Sequence, residues 1–262
     1  MDYGNGVGKM NLNIFTNKKP PYICTPLTGE TSEEVLNQLE TILPQAPDLI
    51  EWRADFFTDL ADTNQVLEVV RKIKGQTDLP LLFTIRAEHE GGEKITLTEK
   101  EKVALFVTVC EQTEIDFLDY ETSNEDKYIQ KLRETAKQHR KRLILSYHNF
   151  TNTPDDNTEL IGRAKQAEAY GADIVKLAVM PKSQADVLHL LEATRKMDEL
   201  LDVPVITMSM GDIGALSRII GWAYGSIITF GVGVEHSAPG QMPIKKLREA
   251  IQATQQLVPN WK

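Results

Sequence analysis

The chain has 262 residues, of which 41% are hydrophobic and 26% charged, and its formal net charge is −9. This length and composition predict a globular protein with a sizeable core, and the negative charge argues against a nucleic-acid or acidic-membrane partner. An anionic ligand would need a local cluster of arginines to attract it. Two cysteines, Cys24 and Cys110, are too few for a disulfide framework and fit a reducing compartment.

The first residues and the most apolar stretch predict a cytoplasmic protein without a membrane anchor. Residues 1–10 are rich in Gly and Asn and lack the apolar segment of a signal peptide. Residues 219–234 form the most apolar stretch, but this stretch is shorter than a membrane span and contains four glycines.

Short apolar segments alternate along the chain with longer segments of helical periodicity. The apolar segments begin near Tyr22, Asp48, Leu81, Ile115, Leu143, Asp173, Val203 and Ser226. Eight strand-then-helix units, spaced 23 to 34 residues apart without a Pro/Ser-rich linker, predict an α/β fold, a (β/α)8 barrel, as one domain over residues 1–262. Residues 1–20 precede the first unit as an N-terminal arm, and we expect residues 11–20 to form a short hairpin or arm that closes the barrel bottom.

Local signals support several of the helices. Thr31 with Glu34, and Thr98 with Glu101, have the spacing of capping boxes at two helix starts. Apolar stripes at helical spacing follow the second and sixth strands, formed by Val66, Leu67, Val69, Val70 and Ile73 and by Val187, Leu188, Leu190 and Leu191.

Lys176 interrupts the apolar segment 173–180, which predicts a buried strand of a parallel sheet. Burial disfavours the charged form of a lysine side chain and frees a nucleophilic amine, which can form a Schiff base with a carbonyl substrate. The alternative is a structural lysine whose tip reaches water or pairs with Asp173, three residues earlier.

Polar and charged residues occur where several predicted strands end, which is where a barrel enzyme carries its catalytic groups. These residues are Glu51 and Arg53, Arg86 and Glu90, His148, Lys176, Arg218, and Ser237 with Gln241. Together they permit imine chemistry, in which Lys176 condenses with a ketone and a base removes a proton from the adjacent carbon.

His148 is the candidate base, because the pKa of a histidine lies near the working pH. The other histidines, His89, His139, His189 and His236, are predicted to lie in loops, a helical tail or a helix. Glu90 and Glu51 are both candidates for the carboxylate that orients the imidazole.

Three arginines can supply paired donors for a carboxylate substrate or for nearby acids. These are Arg53, Arg86 and Arg218. For Arg53 and Arg86, a structural ion pair with Glu51 or Glu121 is an alternative that is compatible with a functional role.

The chain resembles the type I 3-dehydroquinate dehydratase family from about Pro21 to Ile244. Six segments carry the resemblance, namely Glu51-Trp52-Arg53, Arg86 with Glu90-Gly91-Gly92, Ser146-Tyr147-His148-Asn149-Phe150, Val175-Lys176-Leu177-Ala178-Val179-Met180, Met208-Ser209-Met210-Gly211 with Ser217-Arg218, and Ser237-Ala238-Pro239-Gly240-Gln241. The resemblance implies a (β/α)8 barrel, a homodimer without metal or organic cofactor, and the conversion of 3-dehydroquinate to 3-dehydroshikimate and water, the third step of the shikimate pathway.

The resemblance also implies residue roles. Lys176 corresponds to the Schiff-base lysine, His148 to the proton-transfer base and Glu90 to the acid that orients it, although Glu88 offers a second acid nearby. The remaining positions correspond to pocket and ring-hydroxyl residues (Glu51, Arg53, Arg86), a carboxylate clamp (Arg218) and a lid (Ser237, Gln241), with Gly231, Gly233 and Gly240 as its hinges. His148 would take the proton and return it to the leaving hydroxyl on the same side of the ring.

Two other functions are compatible with parts of the pattern. A Schiff-base aldolase could bind a sugar phosphate in the loops after the seventh and eighth strands, with the amides of residues 231–233 around the phosphate. A catalytically silent binding barrel is the other alternative, and retention of the lysine, histidine and glutamate argues against it.

Overall fold

Each of the eight predicted apolar segments is a strand in the computed structural model, which describes residues 21–235 and 237–258. The strands are β1 Tyr22–Leu27, β2 Leu49–Arg53, β3 Leu81–Thr84, β4 Phe117–Glu121, β5 Arg142–Asn149, β6 Ile174–Val179, β7 Val205–Ser209 and β8 Ile228–Val232, followed by the two-residue β9 Met242–Pro243. The helices are α1 Ser32–Ile42, α2 Thr63–Gln76, α3 Glu99–Gln112, α4 Asp126–Gln138, α5 Asn157–Ala169, α6 Gln184–Leu200, α7 Gly211–Ile220 and α8 Ile244–Leu257. The predicted (β/α)8 barrel is confirmed, and the predicted arm, residues 1–20, lies outside the described residues.

The strands form one parallel sheet in the order β7-β6-β5-β4-β3-β2-β1-β8-β9. Between β7 and β8 the ladder reduces to a single bridge, Val205 with Ser226, and a hydrogen bond of 2.9 Å from the amide of Ile227 to the carbonyl of Val205. This seam closes the barrel.

The barrel interior contains an apolar layer below a polar one. Inward-facing residues near the strand starts, among them Leu49, Leu82, Phe117, Ile144 and Ile174, form one buried apolar cluster. Since side chains alternate between the two faces of a strand, the residues two positions later also point inward. Those residues are Glu51, Thr84, Asp119, Ser146 and Lys176, all buried. The fold therefore places a layer of charged and polar groups directly on the apolar layer.

A second, larger apolar cluster lies between the strands and the helices. The α2 stripe belongs to it as predicted, but in the predicted α6 stripe Leu188 is 65% exposed. Leu188 stands one position from Val187 on the helix and turns away from the side that Val187, Leu190 and Leu191 bury.

The helix starts are capped largely as expected. Thr98 and Glu101 form the complete reciprocal capping box of α3. At α1 only half of the predicted box forms, because Thr31 accepts from the Glu34 amide while the Glu34 carboxylate accepts from the amide of Glu30. Among the residues that the structure describes, no helix combines the length and apolarity that crossing a membrane requires.

Candidate active site

One cavity opens at the carboxyl ends of the strands, and all nine predicted site residues line it. The lining comprises Glu51, Arg53, Arg86, Glu90, Gly91, His148, Phe150, Lys176, Ala178, Met208, Met210, Arg218, Phe230, Ser237, Ala238 and Gln241. Most of these residues come from the strand ends and the loops that follow them, as barrel geometry predicts.

Lys176 is buried at 4% exposure and bonds across the barrel interior. Its Nζ donates to Asp119 Oδ2 at 2.8 Å, lies 3.7 Å from Glu51 Oε1 and is 4.7 Å from the centre of the Phe230 ring. The alternative pairing with Asp173 is wrong, because residues three apart on a strand face opposite sides. Asp173 instead accepts hydrogen bonds from Arg133 and from the amide of Leu143.

Asp119 is the functional candidate that the sequence analysis missed. It is fully buried, accepts hydrogen bonds from Lys176 Nζ and Ser146 Oγ, and forms an ion pair at 2.8 Å with Arg86 Nη2. Burial alone would raise its pKa, but the charges of Arg86 and Lys176 hold the pKa of Asp119 well below the usual range. The carboxylate is therefore ionised beside the lysine. The available signal was that Asp119 alternates with Phe117 and Glu121 on β4, so it lies on the inward-facing side of that strand.

His148 is held by Glu90. Glu90 Oε2 accepts from both the backbone amide of His148, at 2.8 Å, and its ring Nδ1, at 3.0 Å. This contact assigns the proton to Nδ1 and leaves Nε2 as a free acceptor. Burial, then the positive charges of Arg86 and Lys176, lower the pKa of His148 well below its ordinary value, so the ring is neutral at neutral pH.

Of the acids considered for the orienting role, only Glu90 contacts the imidazole. Glu88 is exposed, and Glu51 accepts instead from Thr84 Oγ1 at 3.0 Å. Burial raises the pKa of Glu90, while hydrogen bonds from Ser123 and from the His148 amide act in the opposite direction.

Arg53 and Arg86 are anchored by acids in the pocket wall. Arg53 forms a two-point ion pair with Asp55, through Nε at 2.9 Å and Nη2 at 2.7 Å, rather than with Glu51 or Glu121. Arg86 does pair with Glu121, at 2.8 Å, as the alternative interpretation predicted. Both arginines also line the cavity, so their structural pairing and a role towards a ligand coexist.

Arg218 is the opposite case, a buried guanidinium without an acidic partner in the described part of the chain. It is 2% exposed, and its Nη2 donates to the Pro239 carbonyl at 2.9 Å while Nη1 lies 3.7 Å from Met208 Sδ. Its Nε is buried and has no hydrogen-bond partner. Burial lowers the pKa of Arg218 to about 10, which still leaves it charged at neutral pH. Such a cation can bind an anion that enters the cavity.

Three residues of the segment after β8 line the cavity, namely Ser237, Ala238 and Gln241. Gln241 accepts from the amide of Ser237 at 3.0 Å and donates to its hydroxyl at 3.1 Å. Gly240 has φ +77°, and a Cβ there would lie 2.4 Å from the Gly211 carbonyl oxygen, so only glycine fits. The other two predicted hinges, Gly231 and Gly233, do not have left-handed backbone angles, and a Cβ at Gly233 would meet Ile42 at 2.3 Å.

None of the other histidines that the structure describes lines the cavity. His139 ends α4, His189 lies on α6 and His89 is exposed, whereas His236 is outside the described residues. Within residues 21–235 and 237–258, no group of three or more His, Cys, Asp or Glu side chains is arranged to hold a metal ion.

Residues 23–258 match the family model of type I 3-dehydroquinase. The 3-dehydroquinate dehydratase of Geobacillus thermodenitrificans (strain NG80-2) is 48% identical over 246 residues, covering 93% of this chain and 95% of that protein. That of Geobacillus sp. (strain WCH70) is 47% identical over 238 residues, covering 90% of each. The crystal structure of 3-dehydroquinate dehydratase from Geobacillus kaustophilus HTA426 aligns with a TM-score of 0.88 at 43% identity, covering 90% of this chain and 91% of that one.

Proposed function

The chain belongs to the type I 3-dehydroquinase family, and we propose that it converts 3-dehydroquinate to 3-dehydroshikimate and water through an imine on Lys176. The observation that carries the mechanism is the arrangement of Lys176, His148 and Glu90 around one cavity. The reaction is that of a hydro-lyase, and it would serve the third step of the shikimate pathway.

The first step is attack of the Lys176 amine on the ring ketone, with loss of water to form the imine. The protonated imine carries the positive charge that the ammonium group carried before. Asp119 Oδ2 lies 2.8 Å from Nζ and is the counter-ion of both the ammonium group and the iminium group. It can serve both because Asp119 is already ionised. The iminium then acts as the electron sink for the next step.

His148 Nε2 removes a proton from the carbon next to the iminium and gives an enamine. The imidazolium that forms is stabilised through Nδ1–H by Glu90 Oε2 at 3.0 Å. The same proton then passes to the departing hydroxyl on the same face of the ring, which releases water with syn geometry. One water hydrolyses the product iminium to the ketone and returns the ammonium group of Lys176, so the protons and the charge match the starting state.

Arg218 supplies the binding energy for the substrate carboxylate. Its guanidinium is buried without an acidic partner in the described chain, so a carboxylate would satisfy both its charge and its free donors. Ser237 and Gln241 close over the ligand, and Glu51 at the base of the pocket can accept a bond from a ring hydroxyl. Arg53 pairs with Asp55, and Arg86 pairs with Asp119 and Glu121. Both arginines bind the substrate through the N–H groups that these acids do not occupy.

We further propose that the protein is a cytoplasmic homodimer. Large apolar side chains are exposed on two helices that pack together, with Leu188 on α6 and Ile213 and Leu216 on α7. Such side chains are suited to burial against a second copy. Two buried free cysteines are compatible with a reducing compartment.

Borohydride reduction in the presence of 3-dehydroquinate, followed by peptide mass mapping, tests the mechanism. We expect covalent labelling of Lys176 and loss of essentially all turnover in a folded Lys176→Ala variant. Lys182→Ala, which removes an exposed lysine six positions along the chain, is the matched control and should keep both labelling and turnover. A labelled peptide without Lys176, or near wild-type turnover in Lys176→Ala, would overturn the proposal.

A further inference from the structure

Ser123, in the loop after β4, reaches the second oxygen of Glu90. Its hydroxyl donates to Glu90 Oε1 at 2.7 Å, whereas Oε2 accepts both bonds from His148. The carboxylate is therefore held by three donors, and the one from Ser123 comes from a different strand loop. On the outer side, the ring Nε2 of His89 lies 3.4 Å from Ser123 Oγ. His89, Ser123 and Glu90 therefore form a continuous series of polar contacts from the protein surface to the imidazole of His148.

The environment of Ser123 argues against a purely structural role. Ser123 is exposed and is not among the residues that line the cavity, and its side chain fills no core position. The neighbouring polar side chains contact other groups, since Thr122 Oγ1 donates to the Ser146 carbonyl and Asn124 Nδ2 to Glu121. The Ser123 hydroxyl therefore donates its hydrogen bond to Glu90, whereas its neighbours Thr122 and Asn124 bind other groups.

The contact controls two properties of Glu90. Without a donor on Oε1, the carboxylate can rotate about its last torsion and lose the alignment of Oε2 with the imidazole, because that torsion is broad. A hydrogen bond to the ionised form also favours that form. Glu90 is buried, and burial raises its pKa. A Glu90 protonated on Oε2 would donate to His148 Nδ1 instead of accepting from it, and the ring would then carry its proton on Nε2 and would not be a base.

We propose that Ser123 is a positioning residue for the dehydration, which orients Glu90 and keeps it ionised so that His148 Nε2 stays available. This inference rests on the proposed function, since it gives Ser123 a role in the same proton transfer. Ser123 touches neither substrate nor Lys176 in this scheme. Its removal should therefore impair the proton transfers while leaving imine formation and substrate binding intact.

The test compares Ser123→Ala, Ser123→Thr and the wild type in pH profiles of kcat and KM. A hydrogen bond to a charged group contributes about 1.5–3 kcal/mol, so we expect kcat of Ser123→Ala to fall roughly tenfold or more at neutral pH. Removing a donor to a carboxylate raises the pKa of that carboxylate. The acid limb belongs to the coupled Glu90–His148 pair, so in Ser123→Ala it should move to higher pH because Glu90 is protonated first. In Ser123→Ala, KM and the borohydride labelling of Lys176 should stay within about twofold of the wild type, because neither depends on the proton transfer. Ser123→Thr keeps a hydroxyl, so it should restore both kcat and the position of the acid limb. Thr41→Ala, which removes another exposed hydroxyl, far along the chain on α1, is the control for general effects.

Two results would overturn the inference while the proposed function stands. One is a Ser123→Ala enzyme with wild-type kcat and an unmoved acid limb. The other is a loss of kcat that Ser123→Thr does not repair, because the loop rather than the hydroxyl would then be responsible. A wild-type protein that neither turns over 3-dehydroquinate nor labels at Lys176 would instead overturn the proposed function, and the variants would not be needed to see it.

Discussion

Arg218 Nη2 donates to the carbonyl oxygen of Pro239 at 2.9 Å, so one buried arginine both lines the cavity and contacts the segment after β8. The Pro239 carbonyl also accepts from the amide of Gly211 at 3.2 Å. Together these two bonds hold Pro239 against both ends of α7, because Gly211 begins that helix and Arg218 lies in its last turn. Binding of an anion by Arg218 and closure of this segment are therefore physically linked, because both depend on the position of the same side chain.

Arg218→Lys should weaken substrate binding although the charge is retained. An ammonium group cannot make the planar two-point contact with a carboxylate and is shorter than the guanidinium that reaches Pro239. We expect KM to rise by roughly 10-fold or more, consistent with about 1.5–3 kcal/mol for a charged hydrogen bond. Arg195→Lys, at an exposed arginine of α6 with only surface ion pairs, is the matched control. An unchanged KM in Arg218→Lys would show that the carboxylate binds elsewhere.

Gln241→Ala should loosen the proposed lid, the segment that carries Ser237 and Gln241. The Gln241 side chain accepts a hydrogen bond from the Ser237 amide and donates one to the Ser237 hydroxyl, and alanine removes both. We expect a higher KM and more cleavage of residues 232–241 by protease in the presence of ligand than in the wild type. Limited proteolysis with and without 3-dehydroquinate measures this directly. Equal cleavage under both conditions in the wild type, with an unchanged KM in Gln241→Ala, would remove the lid from the mechanism.

His148→Ala should lower kcat by roughly 10²–10⁴-fold, the size of a general acid–base contribution. The pKa of His148 is lowered, so the base is free at neutral pH and is lost only as pH falls through that lowered value. The acid limb of the wild-type profile should accordingly lie below the ordinary histidine range near 6.5. In His148→Ala this limb should flatten, while imine still accumulates on Lys176.

The control for His148 is His189→Ala on α6, whose histidine is exposed and does not line the cavity. It should retain the wild-type rate and pH profile. If His148→Ala keeps its limb, the titrating group is another residue and the assignment of the base fails.

Lys102→Met should destabilise the fold. Lys102, on α3, is 1% exposed, and its Nζ bonds Glu121 Oε2 at 3.1 Å, while Glu121 Oε1 bonds Arg86. Removing one partner of a buried pair leaves an under-compensated charge and costs about 3–5 kcal/mol. Urea unfolding should detect the loss, and the double variant Lys102→Met with Glu121→Gln should recover part of it. No recovery in the double variant would indicate that lost packing, not charge, is the cause.

The same pair gives a pH dependence of defined sign. Burial alone would raise the pKa of Glu121, but the charges of Arg86 and Lys102 bring it below its ordinary value. A carboxyl whose folded pKa is lowered contributes stability above its unfolded pKa, near 4.3, and loses it as pH falls through the folded value. In Lys102→Met the folded pKa rises, so acid unfolding should begin at a higher pH than in the wild type. Urea titrations between neutral pH and pH 3 would follow this shift.

Much of the fold was predictable from the sequence because each unit carries its own local signals. Eight apolar segments spaced by helix-length intervals identify the strands, and the stripe from Val66 to Ile73 predicts the buried face of α2 correctly. The resemblance on six short segments placed Lys176, His148 and Glu90 in one cavity, where the structure has them. Residues at strand ends can be predicted in this way because parallel strands end at the same barrel face.

Several pairings within the site were decided by the tertiary structure, although the contacts of Arg86 with Glu121 and of Glu90 with His148 were predicted. Lys176 pairs with Asp119, 57 positions away, and not with nearby Asp173, because strand pairing brings β4 and β6 around the interior while alternation turns Asp173 outward. Arg53 pairs with Asp55, which lies in the turn that follows β2. In the 3₁₀ turn Glu88–Glu90, the side chain of Glu90 is buried against His148, whereas that of Glu88 is exposed. Ser123 had no signal in the sequence, because its hydroxyl can be assigned a role only once the pairing of β3 with β4 places Glu90 Oε1 at 2.7 Å from it. Sequence periodicity determines which side chains face inward, but the distances between strands determine which charges meet.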